Sequence, residues 1–319
     1  MTFVDAPVKT ELLAVRVSRW VDDRLAERVS CSAVVNSAFR RVVNLSLKSG
    51  HFLSVSAQEL PIAPNGIAFE LPLEVEIEEL GVRAGQEAIL GRQALRIPAA
   101  HFKVGFAMAP RWEPRPMVSR ILPGDLMPRI QRVRAMVMAH GAPWSLLPLL
   151  EDDEGTTSTP LMRAARPHVE LLYESASALS HTAVREAACR LAGLGPGLTP
   201  SGDDLLAGFA AAWLLTAEAI GLLPGEVGMV VAAISAGASS RTSDLGRAWI
   251  MHAAFGEVAE PMGRFIAALF SKNEEGLPLA VRTVLALGST SGTDWMVGAL
   301  FGARAALVSA GVTAHRERL

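Results

Sequence analysis

Residues 193–204 read Gly193-Leu-Gly-Pro-Gly-Leu-Thr-Pro-Ser-Gly-Asp-Asp204, and an apolar run from Leu205 to Leu223 follows directly. Three glycines and two prolines in the first eight residues keep the chain out of regular structure. Ser201-Gly-Asp-Asp204 then opens a helix. Ser201 reads as its N-cap, with Asp204 three residues on in a capping-box arrangement, Asp replacing the usual Glu. Backbone N–H groups beside the positive end of a helix hold anions, although two carboxylates at close range repel a bare one. The apolar run is long enough to span a membrane, and Glu218 is its only charge. However, Asp203 and Asp204 abut one end, Gly221 and Pro224 the other, and no Lys, Arg or Tyr flanks it. A helix buried on all sides at the centre of a helical domain is the better reading.

The pattern occurs again near the end of the chain. Thr290-Ser291-Gly292-Thr293-Asp294-Trp-Met-Val-Gly298 repeats Pro200-Ser201-Gly202-Asp203-Asp204-Leu-Leu-Ala-Gly208, with Ser, Gly, the second Asp and the distal Gly at a constant offset of 90 (291 − 201). Two readings stand. One is a pair of well-capped helices whose Gly208 and Gly298 allow close packing. The other is a ligand site shared by two helix N-termini, lined by Gly195, Gly197, Thr199, Ser201, Gly202 and Asp204 from the first copy and by Ser291, Gly292 and Asp294 from the second.

Composition sets the bounds. The 319 residues suffice for two domains or one large one, and with 50% hydrophobic residues a sizeable core is possible. A net charge of −2 gives no electrostatic reason to propose nucleic acid or an anionic membrane as partner. Cys31 and Cys189 are the only cysteines, which excludes a disulfide scaffold and fits a reducing cytosol. Cys189, within Ala187-Ala-Cys-Arg-Leu-Ala192, reads as a buried helical thiol. The start Met1-Thr-Phe-Val-Asp-Ala-Pro lacks the features of a signal peptide, so a cytoplasmic location is expected.

The fold class expected is α+β. Residues 1–125 form a β-rich domain, a small barrel or sandwich. Residues 126–319 form an all-α domain with an internal pseudo-repeat. In the first part, Val42–Leu47 and Phe52–Ala57 flank Lys48-Ser-Gly50-His51 with the alternation of a hairpin. Residues 67–78 alternate apolar with Glu and predict a long strand that Pro72 must break, bulge or place at an edge. Ala94–Ile97 and Phe102–Ala109 supply further strands. Pro110-Arg-Trp-Glu-Pro-Arg-Pro116 marks a boundary region, and from Arg129 the period becomes helical. Helices follow at 130–140, 161–180, 181–194, 225–238, 244–255, 257–269, 277–287 and 292–310, around the central one. Their short connections imply packed neighbours. Glu151–Pro160 is an acidic polar loop, read as solvated and mobile, with a lid as the alternative.

Asp203 and Arg241 are the candidates for chemistry. Capping accounts for Asp204 but not for Asp203, which could bind Mg²⁺ through waters or hydrogen-bond a substrate amide. Thr293 replaces Asp203 in the second copy, which points to Asp203 as functional and to the aligned Asp204/Asp294 pair as structural. Ser239-Ser-Arg-Thr-Ser-Asp244 is a second polar cluster. Ser243 or Asp244 caps the next helix, and Arg241 can meet a carboxylate or phosphate bidentately. The histidines form no zinc-binding spacing, Gly-x-Ser-x-Gly is absent, and no Lys follows the glycines as in a P-loop.

Gly197-Leu-Thr-Pro-Ser-Gly-Asp-Asp204, together with Val42-Val-Asn-Leu45, Arg241-Thr-Ser243 and Gly288-Ser-Thr-Ser-Gly-Thr-Asp294, resembles a bacterial family long described as a domain of unknown function. That family includes the AllH-type subunit associated with oxamate carbamoyltransferase in allantoin breakdown. The resemblance implies a carbamoyl- or acyl-transferring enzyme working with other subunits, one similar to acyl-CoA synthetases. It also implies a small anionic or phosphorylated ligand, such as carbamoyl phosphate. A non-catalytic subunit that binds a small anion or docks a partner, including a further copy of itself, is the alternative. Metal-dependent hydrolysis comes third.

Overall fold

In the computed structural model of the chain, residues 10–25, 30–151 and 159–312 are described. Most of the acidic loop Glu151–Pro160, at 152–158, lies outside the described residues. The chain forms two compact units, Met1–Pro114 and Arg115–Leu319. Residues 115–125, assigned to the β-rich part on the sequence, belong with the helices. Arg115 grips Glu218 with both carboxylate oxygens, at 2.6 and 2.7 Å, and the Ile121 N–H donates to the Ala219 carbonyl at 3.2 Å.

The first unit is a closed sheet. Its elements are β1 (Thr10–Ser18), α1 (Arg19–Leu25), β2 (Ser30–Ala38), β3 (Val42–Leu47), β4 (Phe52–Ala57), β5 (Gly66–Phe69), β6 (Glu87–Gly91), β7 (Ala94–Ile97), β8 (Phe102–Gly105) and β9 (Arg111–Trp112). The strand order is β5-β4-β3-β2-β6-β7-β8-β1, and β1 pairs back with β5 to close the ring. β1 serves two neighbours. Thr10–Leu13 runs parallel to β8, the register then shifts between Ala14 and Arg16, and Ala14–Val17 runs antiparallel to β5. β9 adds a short parallel pairing at Val17 and Ser18. Val17, Val35, Leu45, Leu53, Ile67, Leu90, Leu95 and Val104, one from each barrel strand, meet in a single core. Eight strands enclose an interior that side chains can fill, and closure removes the edges an open sheet would expose.

The long strand read into residues 67–78 ends at Phe69. Pro72 has no N–H to give a ladder. Arg41 takes over its neighbours' carbonyls instead, donating to Leu71, Pro72 and Val75 at 2.9, 2.8 and 2.7 Å. The segment becomes a run of turns that leaves Leu73 exposed while Leu71 and Ile77 stay buried. The strand read into Phe102–Ala109 likewise stops at Gly105, and a turn closes between Ala109 N–H and Phe106 C=O at 3.2 Å. β1 and β2 carry the barrel but were not singled out in the sequence.

The second unit contains α2 (Pro123–His140), α3 (Pro160–Ser177), α4 (His181–Leu191), α5 (Ser201–Ile220), α6 (Pro224–Ala238), α7 (Asp244–Ala254), α8 (Glu260–Phe270), α9 (Leu277–Leu285) and α10 (Ser291–Ser309). α5 is the central element; along it only Asp204, Glu218 and Ile220 escape full burial. Among the described residues no helix is long and apolar enough to cross a membrane. α10 is its main neighbour. The α-carbon of Gly298 lies against the Leu205 backbone, and that of Gly302 against the Phe209 backbone. The partner thus advances four positions as the helix does, so the two helices run in the same direction and bring their N-termini together.

Candidate functional site

The glycine loop wraps the start of α5. Gly193, Gly195 and Gly197 have φ of 75°, 111° and 100°, which side chains rarely adopt. At Gly193 a side chain would also collide with the Arg241 carbonyl. The loop then supplies acceptors for the first amides of the helix. Gly202 N–H donates to the Leu194 carbonyl at 2.9 Å, and Asp203 N–H to the Pro200 carbonyl at 2.8 Å. α10 begins in the same way, with Gly292 N–H donating to Leu287 at 3.0 Å. These contacts correct the reading of Ser201 as the N-cap. Pro200 and Thr290 occupy the cap positions without a side-chain bond, and Ser201 and Ser291 are the first helical residues. The loop carbonyls have taken the amides that a capping hydroxyl would accept from. The Gly202 and Gly292 amides expected to cradle an anion are therefore engaged within the protein.

Freed from capping, the serine hydroxyls face across to the other helix. Ser291 stands against the Asp204 carboxyl, and Ser201 against that of Asp294. Thr199 reaches the same place, its hydroxyl 3.4 Å from that of Ser291. The residues predicted from the two copies of the motif therefore converge. Thr199, Ser201, Asp204, Ser291 and Asp294 form one cluster in which each helix supplies a serine for the other's aspartate.

The three aspartates have different surroundings. Asp203 is fully buried and both its oxygens are engaged, one by Gly193 N–H at 2.8 Å and the other by the Thr242 hydroxyl. Gly246 leaves room for this, because a side chain there would strike both Asp203 and Thr242. Asp203 thus fastens the glycine loop to the start of α7. Among the described residues no group of three or more His, Cys, Asp or Glu is placed to hold a metal ion. Asp294 is also fully buried, and one oxygen accepts from Leu146 N–H at 2.6 Å. Thr293 beside it accepts from Ala142 N–H at 3.0 Å. The segment 142–146 is thereby pinned to the start of α10. Asp204 is half-buried as a residue. The Oδ2 atoms of Asp204 and Asp294 are each shut away from solvent without a hydrogen-bond partner.

Burial is the main cause that pushes all three carboxyls above the usual aspartate range. Asp204 is pushed furthest: the charges of Asp294 and Asp203 add to its burial, and only the Ser291 and Thr199 hydroxyls oppose. For Asp294 the Leu146 N–H, then Ser201 and Thr290, favour the ionised form. Both carboxyls of the pair are thus held above the ordinary range, Asp204 the further of the two. The sequence expectation put the chemistry on Asp203 and counted Asp204 and Asp294 both as a structural pair and as ligand-binding residues; the structure gives the three carboxyls different surroundings.

Two predicted residues lie to the side. Ser243 caps α7, accepting from Gly246 N–H at 3.1 Å, and its hydroxyl donates to the Leu198 carbonyl at 3.3 Å. Arg241 is exposed and lines a cleft along α4 whose lining includes none of the acid-cluster residues. Cys189, read as buried, is half-buried and opens into that cleft. Thr242 and Leu146 hold two of the aspartates and were not identified on the sequence. Thr242 sat inside a quoted polar cluster; the Leu146 backbone N–H left no sequence signal.

Two family models match the chain. The AllH family N-terminal domain covers residues 13–111, which include most of the barrel. The oxamate carbamoyltransferase subunit AllH covers residues 191–303, which include the glycine loop and both helix starts. No solved structure matches. With its barrel and its paired helix starts each falling within a matched region, the chain belongs to the AllH family.

Proposed function

We propose that the chain is one subunit of a carbamoyltransferase of the oxamate/carbamoyl phosphate class, acting in allantoin breakdown, and that Asp204 and Asp294 hold the reacting amide. One observation carries this reading: two buried carboxyl oxygens, from neighbouring helix starts, have no partner within the protein. Such an atom is costly to leave unpaired, and a bound group that supplies the partner recovers that cost.

The chemistry suits the pair. In carbamoyl transfer an amide nitrogen attacks the carbamoyl carbon, the bond from that carbon to the phosphate oxygen breaks, and the nitrogen loses a proton. A neutral Asp204 donates a hydrogen bond to the carbonyl oxygen on which charge builds. An ionised Asp294 accepts from the nitrogen. Carboxyls held apart in pKa by their surroundings divide acid and base work in this way. Two parallel helices with adjacent N-termini add positive potential where negative charge develops.

We further propose that the two starts are copies of one motif about an internal twofold. Asp204 faces Ser291 as Asp294 faces Ser201. Gly208 abuts the Trp295 backbone as Gly298 abuts that of Leu205. Each pair maps onto the other under the 90-residue offset of the repeat.

The reading is tested by assembling the enzyme with its other subunits and measuring oxamate carbamoylation. Asp204→Asn and Asp294→Asn are each expected to lower turnover about 100-fold or more with the fold intact. Full turnover in both variants would refute the assignment.

A further inference from the structure

α4 presents Thr182, Arg185, Glu186, Cys189 and Arg190 along one face, and Arg241 reaches the same place from the turn between α6 and α7. Together they line an open cleft of about 370 Å³. Several arginines among the described residues pair with acids. Arg111 meets Asp22, Arg115 meets Glu218, Arg129 and Arg132 share Glu274, and Arg247 and Arg264 each meet an acid on their own helix. Among the described residues, Arg185, Arg190 and Arg241 have no such partner, although Glu186 is beside them.

Three arginines from two chain segments line this cleft with a single carboxylate, so a bound anion would offset their like charge. Each offers a planar fork of donors that matches the oxygens of a phosphoryl group. The cleft volume is at the small end of those that hold small molecules. The cleft is open but of bounded volume, which favours a compact anion over an extended acidic surface. We propose that Arg185, Arg190 and Arg241 form a binding site for a phosphoryl-bearing small molecule, separate from the Asp204–Asp294 cluster. This site does not rest on the carbamoyl-transfer reading, because none of its residues belongs to the acid pair.

Inorganic phosphate and pyrophosphate, titrated calorimetrically into the full-length protein at low salt, test the site. Pyrophosphate is expected to bind, and Arg185→Gln and Arg241→Gln are each expected to weaken it about tenfold or more. The side chains are exposed, so an unchanged thermal melt will show that the variants remain folded. Cys189 gives a second readout. Pyrophosphate should slow its alkylation in the parent protein and have no such effect in the Arg185→Gln/Arg241→Gln double variant. The site is overturned if pyrophosphate does not bind, or binds equally well to the double variant. Loss of binding in Asp204→Asn alone would place the anion at the helix starts and also overturn it. So would a cleft that takes up an acidic peptide but neither phosphate nor pyrophosphate.

Discussion

Gly208 packs so closely on Trp295 that a methyl group on its α-carbon would collide with the Trp295 carbonyl oxygen. Gly298 stands in the same relation to Leu205. These two contacts set the separation of α5 and α10 and bring their first turns side by side, so the acid cluster depends on them. Gly208→Ala and Gly298→Ala should each destabilise the protein by about 2–3 kcal/mol, the cost of forcing extra volume into a packed core. Gly228, on α6, has open space around it. There the same change should stabilise by about 0.5–1 kcal/mol, because Ala restricts the unfolded chain. Urea unfolding of the three variants checks all three signs.

The raised carboxyls make stability depend on pH in a definite sense. From the ordinary aspartate value upward, folded Asp204 keeps a proton that the unfolded chain releases, and Asp203 and Asp294 do so over a narrower range. The folded state then binds more protons than the unfolded one, so stability falls as pH rises and levels off above the folded pKa values. Each unit of elevation corresponds to about 1.4 kcal/mol. Asp204→Asn, neutral in both states, should flatten this decline. Denaturant midpoints at pH 5, 6, 7 and 8 for the parent and the variant will measure it.

Asp203 is expected to matter through the fold. Asp203→Ala leaves the Gly193 N–H and the Thr242 hydroxyl without their acceptor and should cost about 1–3 kcal/mol. Thr242→Val removes one donor and should cost less. Limited proteolysis should then cut the glycine loop faster in Asp203→Ala than in the parent.

The helical pattern was legible because its apolar residues recur at helical spacing, and β3 and β4 were legible from their alternation. The segment 67–78 alternates just as well, yet Pro72 and the Arg41 guanidinium turn it into a string of bends. The alternation marked Leu71 and Ile77, which are buried, but also Leu73, which is exposed, and it says nothing about where the backbone bonds go. The motif copies at Ser201 and Ser291 were legible as a repeat. Their exchange of partners was not, since it requires knowing that α5 and α10 run in parallel. The partners of the adjacent aspartates were not legible for a similar reason. Two acids one residue apart on a helix point in different directions, and only the fold shows that Asp203 meets Thr242 while Asp204 meets Ser291. The Leu146 N–H that steadies Asp294 comes from a loop whose sequence does not mark it.

The coupled acid pair is tested most directly by following the ¹³C resonance of the Asp204 carboxyl through a pH titration of aspartate-labelled protein. Asp204 should titrate well above the ordinary aspartate range, and its midpoint should fall when Asp294 is replaced by Asn. An Asp204 carboxyl that titrates near 4, the ordinary value, and does not respond to Asp294→Asn would contradict the account.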